Sequence, residues 1–452
     1  MAHDAPRQRP RAGSSKNPVA AARAARVAAR ALATAGTEQK NAALAAIADA
    51  LQLAWPKLQA ANALDVAVAE KAVAAGRLKK SLVDRLRLSQ DKLQQMVTSV
   101  AEVQALPDPV GQLRLHTLLD DGLELKKVSF PFGVIAAIVE ARPDAVVQLS
   151  ALALKSGNAL LIKAGAEAAH TSECLLQLMS QAIAAAGIPA TALALVKDRE
   201  GVRQLLRMDQ YIDLVVPRGG AELVRYVMQN STIPVLGHAD GVCHIYIDRH
   251  ADRKMAMEIV LDAKTQAPSV CNAVETVLVD EAIAADFLPE LVCRLKQAGV
   301  TVLGCECTVA LAKGEATQIP PDAWHTEYGD LILAMRVVRG VDEAIEHIEN
   351  FGSRHTDCII TNHQPTAERF LNAVDSANVL HNVSTRFSDG FRYGFGAEVG
   401  ISTGKLHARG PVGLDGLVTY RYQLTGNGQC VRQYVGPEAR RFKHVRLADG
   451  LK

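Results

Sequence analysis

Apolar positions change rhythm twice along the chain, and the changes divide it. From about residue 18 to 103, alanine and leucine recur at helical spacing. Ala42, Leu44, Ile47 and Leu51 follow a 3.6-residue period, as do Leu82, Leu86, Leu93 and Met96. This predicts an opening segment of two to four helices, closed by Pro107 and Pro109. Residues 116–127 alternate and predict a β-hairpin. From Phe130 the apolar runs become continuous, as in strands buried on both faces of a parallel sheet. Strands are predicted at 133–139, 158–162, 192–196, 212–216 and 242–247, with helices at 166–186, 201–208 and 219–229. Gly187-Ile188-Pro189 is a helix-stop signal. Strand and helix in this alternation predict a doubly wound α/β domain.

A second α/β series follows, with strands at 276–279, 300–303, 331–338, 357–361 and 379–382 and helices at 282–298, 341–351 and 365–374. From Gly390 the chain turns glycine-rich and irregular. Residues 418–424 predict one more strand, suited to pairing with another subunit. The chain is therefore divided into a disordered tail at 1–16, one α/β domain at 17–270, a second at 271–390, a C-terminal segment at 391–428 and a basic tail at 429–452.

Composition narrows the function classes. A length of 452 residues exceeds one ordinary core. Hydrophobic residues at 49% and charged ones at 22% describe a globular protein. A net charge of +2 and only 4% aromatics argue against nucleic acid as a partner. No apolar run reaches the ~18 residues of a membrane span. Arg23, Arg26 and Arg30 interrupt the early alanines, so no secretory signal is read. The Arg-rich, acid-poor start leaves a transit peptide as a rival to the cytoplasmic reading. Eight cysteines are too sparse for a disulfide framework. Cys305 and Cys307 form a C-x-C pair without a second pair at zinc-like spacing, so they read as ordinary thiols and no metal is expected.

Candidate chemistry centres on DAKTQAPSVCNAVETVLVD, residues 262–280. Cys271 follows Pro268-Ser269 and precedes a β-branched run. That places it on a loop between a helix and a strand, where a thiol can be reached and activated. A small buried residue is the other reading. Pro217-Arg218-Gly219-Gly220 lies between a strand and a helix, where backbone N–H groups can face a phosphate; an ordinary tight turn is the alternative. No G-x-G-x-x-G follows the first strand. Lys163 follows a strand end, where α/β sheets bind ligands, or is a surface lysine. Arg142 and Arg386 also follow strand ends. Each suits a carboxylate or phosphate, or a surface ion pair.

Taken together, AKTQAPSVCNAVET, VVPRGGAELVRYV and FGAEVGISTGKLHARGPVGLDGL resemble the γ-glutamyl phosphate reductases, within the aldehyde dehydrogenase superfamily. The resemblance runs from about residue 18 to 428. It implies an aldehyde dehydrogenase-like fold, with an NADP(H)-binding domain, a catalytic domain and a small β oligomerisation element combining residues 116–129 with a C-terminal strand. It implies reduction of L-glutamyl 5-phosphate by NADPH through a cysteine thioester, in a homo-oligomer, with a separate glutamate 5-kinase as a possible partner. The nucleophile falls on Cys271, flanked by Gln266, with Asn272 or Arg142 holding the oxyanion. Cofactor contacts fall on Lys163, Arg218, Gly219, Gly220 and Glu327. Ala166 stands where NAD-preferring relatives carry a glutamate, which agrees with NADP(H), although Glu167 is adjacent. Ser384, Thr385 and Arg386 are candidates for the substrate's α-carboxylate, with Arg142 for its phosphate. Residues 235–241, VLGHADG, hold no glutamate to activate water, and His238 and Asp240 are the substitutes to consider. A hydrolytic, NAD-dependent aldehyde dehydrogenase is the alternative.

Overall fold

The computed structural model describes residues 14, 15, 17–78, 80–140, 142–197 and 199–449. Among the described residues the chain forms two compact units, residues 14–235 with 413–449 and residues 236–412.

The first unit opens with five helices, Pro18–Leu32, Thr37–Leu53, Trp55–Ala74, Lys80–Leu86 and Gln90–Ala105. That is one more than the largest number expected, because Trp55-Pro56 restarts a helix directly after Ala54. Behind them lies a parallel sheet. Its order is Ser14–Ser15, Leu193–Val196, Ala159–Ala164, Val134–Val139, Leu214–Arg218. Every residue of Val134–Val139 is buried, which accounts for its unbroken apolar run. Two strands run longer than their apolar runs. Lys163 pairs opposite Ile138 and Arg218 opposite Val139, so both belong to the strands they were expected to follow. Of the expected tail at 1–16, residues 1–13 and 16 lie outside the described residues. Ser14 and Ser15 extend the sheet beside Leu195 and Val196.

The hairpin is Leu113–Asp120 with Leu123–Pro131, and the C-terminus completes it. Val418–Thr425 pairs antiparallel with Leu123–Pro131, and Val445–Asp449 with Leu113–Asp120. The strand expected at 418–424 thus pairs within its own chain, and the basic segment 429–452 carries a strand of its own. Asn158 anchors this return. Its Oδ1 accepts from the Gly133 N–H at 2.8 Å, and its Nδ2 donates to the Leu417 carbonyl at 2.8 Å.

The second unit is built on a seven-stranded parallel sheet, ordered Thr317–Gln318, Thr301–Gly304, Ile332–Val338, Val274–Asp280, Cys243–Ile247, Thr356–Ile360, Asn378–His381. Strand Cys243–Ile247 hydrogen-bonds to Val274–Asp280 and to Thr356–Ile360. The boundary therefore falls at Val235, not at residue 270. Helix Arg253–Thr265 packs in the same core, its Val260 and Ala263 belonging to one buried cluster with Val277 and Leu291. Residues 391–412 also stay in this unit, where the Val399 and Val412 N–H groups bond across to the Val412 and Gly400 carbonyls at 2.8 Å.

Candidate active site

Cys271 lies in the second unit on the turn between helix Arg253–Thr265 and strand Val274–Asp280. The helix starts at Asp252, whose carboxylate caps the Met255 N–H at 2.9 Å. Pro268 prevents its continuation. The turn closes through the Ala273 N–H to the Val270 carbonyl at 2.9 Å. Cys271 is half-buried, whereas Cys174, Cys243 and Cys358 are buried.

The turn rests on segment 236–243. A Cβ at Gly241 would clash with the Cys271 carbonyl oxygen and Cα, so glycine alone permits this approach. The Cys243 thiol donates to the Cys271 carbonyl at 3.2 Å. Burial pushes that thiol well above its ordinary value, so it remains a protonated donor. Beside it, a ring nitrogen of His238, one of His355 and the Cys271 Sγ lie within 4.8 Å of one another. The two imidazoles meet edge-to-face, centroids 4.7 Å apart. His238 Nδ1 faces the Ile401 carbonyl at 2.8 Å, so that nitrogen carries the hydrogen. Burial holds His355 well below the usual histidine range, hence neutral.

The loop 384–388 reaches the same turn. The Arg386 Nε donates to Gln266 Oε1 at 2.9 Å. Burial lowers the Arg386 pKa, with Arg392 adding to the effect, while Asp389 and Cys271 oppose it. The Asn272 Nδ2 donates to the Ser388 carbonyl at 2.8 Å, and its Oδ1 is buried without a partner. The Ser388 hydroxyl pairs with Thr356 at 2.7 Å, and Thr356 with His355 Nδ1 at 2.8 Å. Ser384 caps the Arg386 N–H at 3.3 Å. Thr385 is buried with an unpartnered Oγ1, a group able to meet a polar ligand.

Glu327 completes this set, its Oε2 accepting from the Gly241 N–H at 3.0 Å. Its loop is held from within, because Glu275 Oε1 accepts from the Gly329 N–H at 3.3 Å. Glu275 in turn pairs with Lys264 at 2.7 Å, both fully buried. Burial raises Glu275 to about 7 against the pull of Lys264, and lowers Lys264.

The remaining expected residues lie in the first unit. Arg142 is exposed and precedes Pro143, the first residue of helix Pro143–Lys155. It lines a basic cavity of about 370 Å³ with Arg85, Lys92 and Gln148. The Lys163 Nζ reaches the Ala164 carbonyl at 2.5 Å. Gly220 opens helix Ala221–Asn230, and its N–H is held by Glu140 Oε2 at 2.9 Å. A Cβ at Gly219 would strike that same carboxylate.

The aldehyde dehydrogenase family matches residues 3–303. A γ-glutamyl phosphate reductase of Synechocystis is 50% identical, covering 94% of this chain and 96% of its own. The crystal structure of the γ-glutamyl phosphate reductase of Thermotoga maritima is 40% identical, covers 91% of this chain and 99% of its own, and superposes with a TM-score of 0.89. This chain belongs to the γ-glutamyl phosphate reductase branch of the aldehyde dehydrogenase family. Another solved structure, an engineered glycolyl-CoA reductase with bound NADP+, shares the fold at 18% identity and a TM-score of 0.61, covering 91% of this chain and 97% of its own.

Within this fold, sequence reasoning missed the supports of the Cys271 turn. Gly241 and Cys243 carry no chemical signature in the sequence. Lys264 and Glu275 flank Cys271 by seven and four positions, and Glu275, a carboxylate inside the apolar run at 273–279, was the available signal. His355 drew no attention because a histidine beside a strand is ordinary. Of the two substitutes considered for the missing glutamate, His238 is the one placed beside Cys271.

Proposed function

We propose that this chain reduces L-glutamyl 5-phosphate to L-glutamate 5-semialdehyde, releasing phosphate, in the second step of proline biosynthesis from glutamate. The observation that carries this reading is the Cys271 turn clasped to the Arg386 loop through Gln266. A thiol and a carboxylate-binding guanidinium then belong to one rigid set. Segment 235–241 also lacks a glutamate to deliver water, as a phosphate-expelling reductase requires. Cys271 attacks the acyl carbon and phosphate leaves, giving a thioester. The oxyanion is held by the Cys271 backbone N–H, with Asn272 or Arg142 as the second donor. Arg386, Ser384 and Thr385 receive the α-carboxylate, and Arg142 the phosphate.

The family chemistry draws on a nicotinamide cofactor, and NADPH is the form proposed here. When bound, it supplies the hydride that reduces the thioester. The first unit fits such a group. Gly219 and Gly220 open a ten-residue helix whose first N–H already holds a carboxylate oxygen, the interaction a phosphate would make. Lys163 is assigned to the adenosine ribose, Arg218 to the phosphates and Glu327 to the nicotinamide ribose. Among the described residues no helix is long and apolar enough to cross a membrane. The protein is further proposed to work in the cytoplasm as a homo-oligomer, joined through the antiparallel sheet. A separate glutamate 5-kinase would supply the labile acyl phosphate.

The reverse reaction tests the proposal. With the semialdehyde as substrate, NADP+ reduction should require phosphate and stop without it. Equal rates with and without phosphate would establish a hydrolytic enzyme instead.

A further inference from the structure

We propose that His238, Cys271 and His355 form a binding site for a zinc-class divalent cation, and that its occupancy switches the thiol off. Three donors of the right kind converge, two imidazole nitrogens and one sulfur within 4.8 Å of one another. Nitrogen and thiolate together select zinc and its borderline neighbours over magnesium or calcium. One histidine is already oriented, since His238 Nδ1 is committed to the Ile401 carbonyl at 2.8 Å. This is the backbone support that ligating histidines ordinarily have on their second nitrogen. His355 is fully buried, its Nδ1 lies 2.8 Å from Thr356 Oγ1, and its Nε2 has no partner. An unpartnered buried nitrogen is costly unless a ligand meets it.

Tetrahedral zinc with these ligands needs donor separations of about 3.3–3.6 Å. The cluster has to contract by about 1 Å, within reach of a χ1 rotation of the half-buried Cys271. Three protein ligands leave a fourth position open for water or a substrate oxygen. Arg386 opposes the cation, because its guanidinium is close enough to Cys271 for the two to interact electrostatically. Binding should therefore be reversible, about micromolar, rather than structural. Cation binding displaces the thiol proton to solvent and ties up the sulfur lone pair that attacks the acyl carbon. No electron transfer is involved.

The loss of turnover rests on Cys271 being the nucleophile, but the binding does not. The test is therefore a titration of the full chain, without substrate or cofactor, by Co2+ as a spectroscopic probe and by Zn2+ in competition with a chromophoric chelator. One equivalent should bind with a thiolate-to-cobalt charge-transfer band and shield one thiol from alkylation. Cys271→Ser should lose the band, and His238→Ala should weaken binding about tenfold or more. His355→Gln should do the same, but His355 is buried, so the first two variants decide. Cys305→Ser/Cys307→Ser should bind unchanged. Retained affinity in Cys271→Ser, or loss in the Cys305/Cys307 variant, overturns the proposal. Phosphate-dependent turnover by an enzyme that binds no cation would sink this inference alone. Cation binding by an enzyme that shows no such turnover when cation-free would sink only the proposed function.

Discussion

The cysteine turn of the second unit and the strand ends of the first are built on opposite plans. Around Cys271 the backbone of the turn is held at several points. Glycine at 241 abuts its carbonyl, a buried thiol donates to that carbonyl, and a buried Lys264–Glu275 pair holds the Glu327 loop. At the first unit's strand ends, Arg142, Gly219 and Gly220 are open to solvent or nearly so, and an exposed carboxylate, Glu140, fills the helix N-terminus. The difference suits the two tasks proposed for these regions. A nucleophile must be held to a fraction of an ångström, since misplacement weakens a near-attack geometry steeply. A cofactor has to enter and leave, which exposed and provisionally occupied contacts would allow.

Four experiments break or sharpen that contrast. Cys271→Ala should lower turnover at least about 10⁴-fold while NADPH binding persists; calorimetry of cofactor binding beside the assay checks both halves. Next in size, Gly241→Ala should push the turn away and lower kcat about 10²-fold with a folded protein by circular dichroism. An unchanged kcat would mean the turn is not held by this contact. Third, Lys264→Met should cost about 3–5 kcal/mol of stability, because it strands a buried carboxylate. Lys264→Met/Glu275→Leu should recover most of that loss in denaturant titrations. Equal losses in both variants would remove the pair as the support described. Smallest, Glu140→Gln should tighten NADPH binding about two- to fivefold, by weakening the anion that competes for the helix N-terminus. Weaker binding would instead make Glu140 part of the cofactor site.

Legibility followed the kind of force involved. The helix at Val341–Phe351 was located to the residue, because an amphipathic period is written locally. Lys163 and Arg218 were placed just beyond their strands, since hydropathy marks where apolar residues stop and not where pairing stops. The boundary near residue 270 was misplaced for a related reason. Strand Cys243–Ile247 reads the same whichever sheet it joins, and only pairing with Val274–Asp280 assigns it. Likewise 429–452 reads as a basic tail, yet Val445–Asp449 joins the hairpin sheet.

By itself the chain determined its α/β class, the order of most elements and the position of one cysteine on a helix-to-strand turn. Those depend on periodicity, proline and glycine placement, and local motif, all short-range. Tertiary structure alone decided that Gly241 lies against Cys271, that His238 and His355 converge on its sulfur, and that Arg386 reaches Gln266 across 120 residues. Such contacts are set by how seven parallel strands order themselves. That ordering is a collective result of burying two faces at once, and no single stretch of sequence records it.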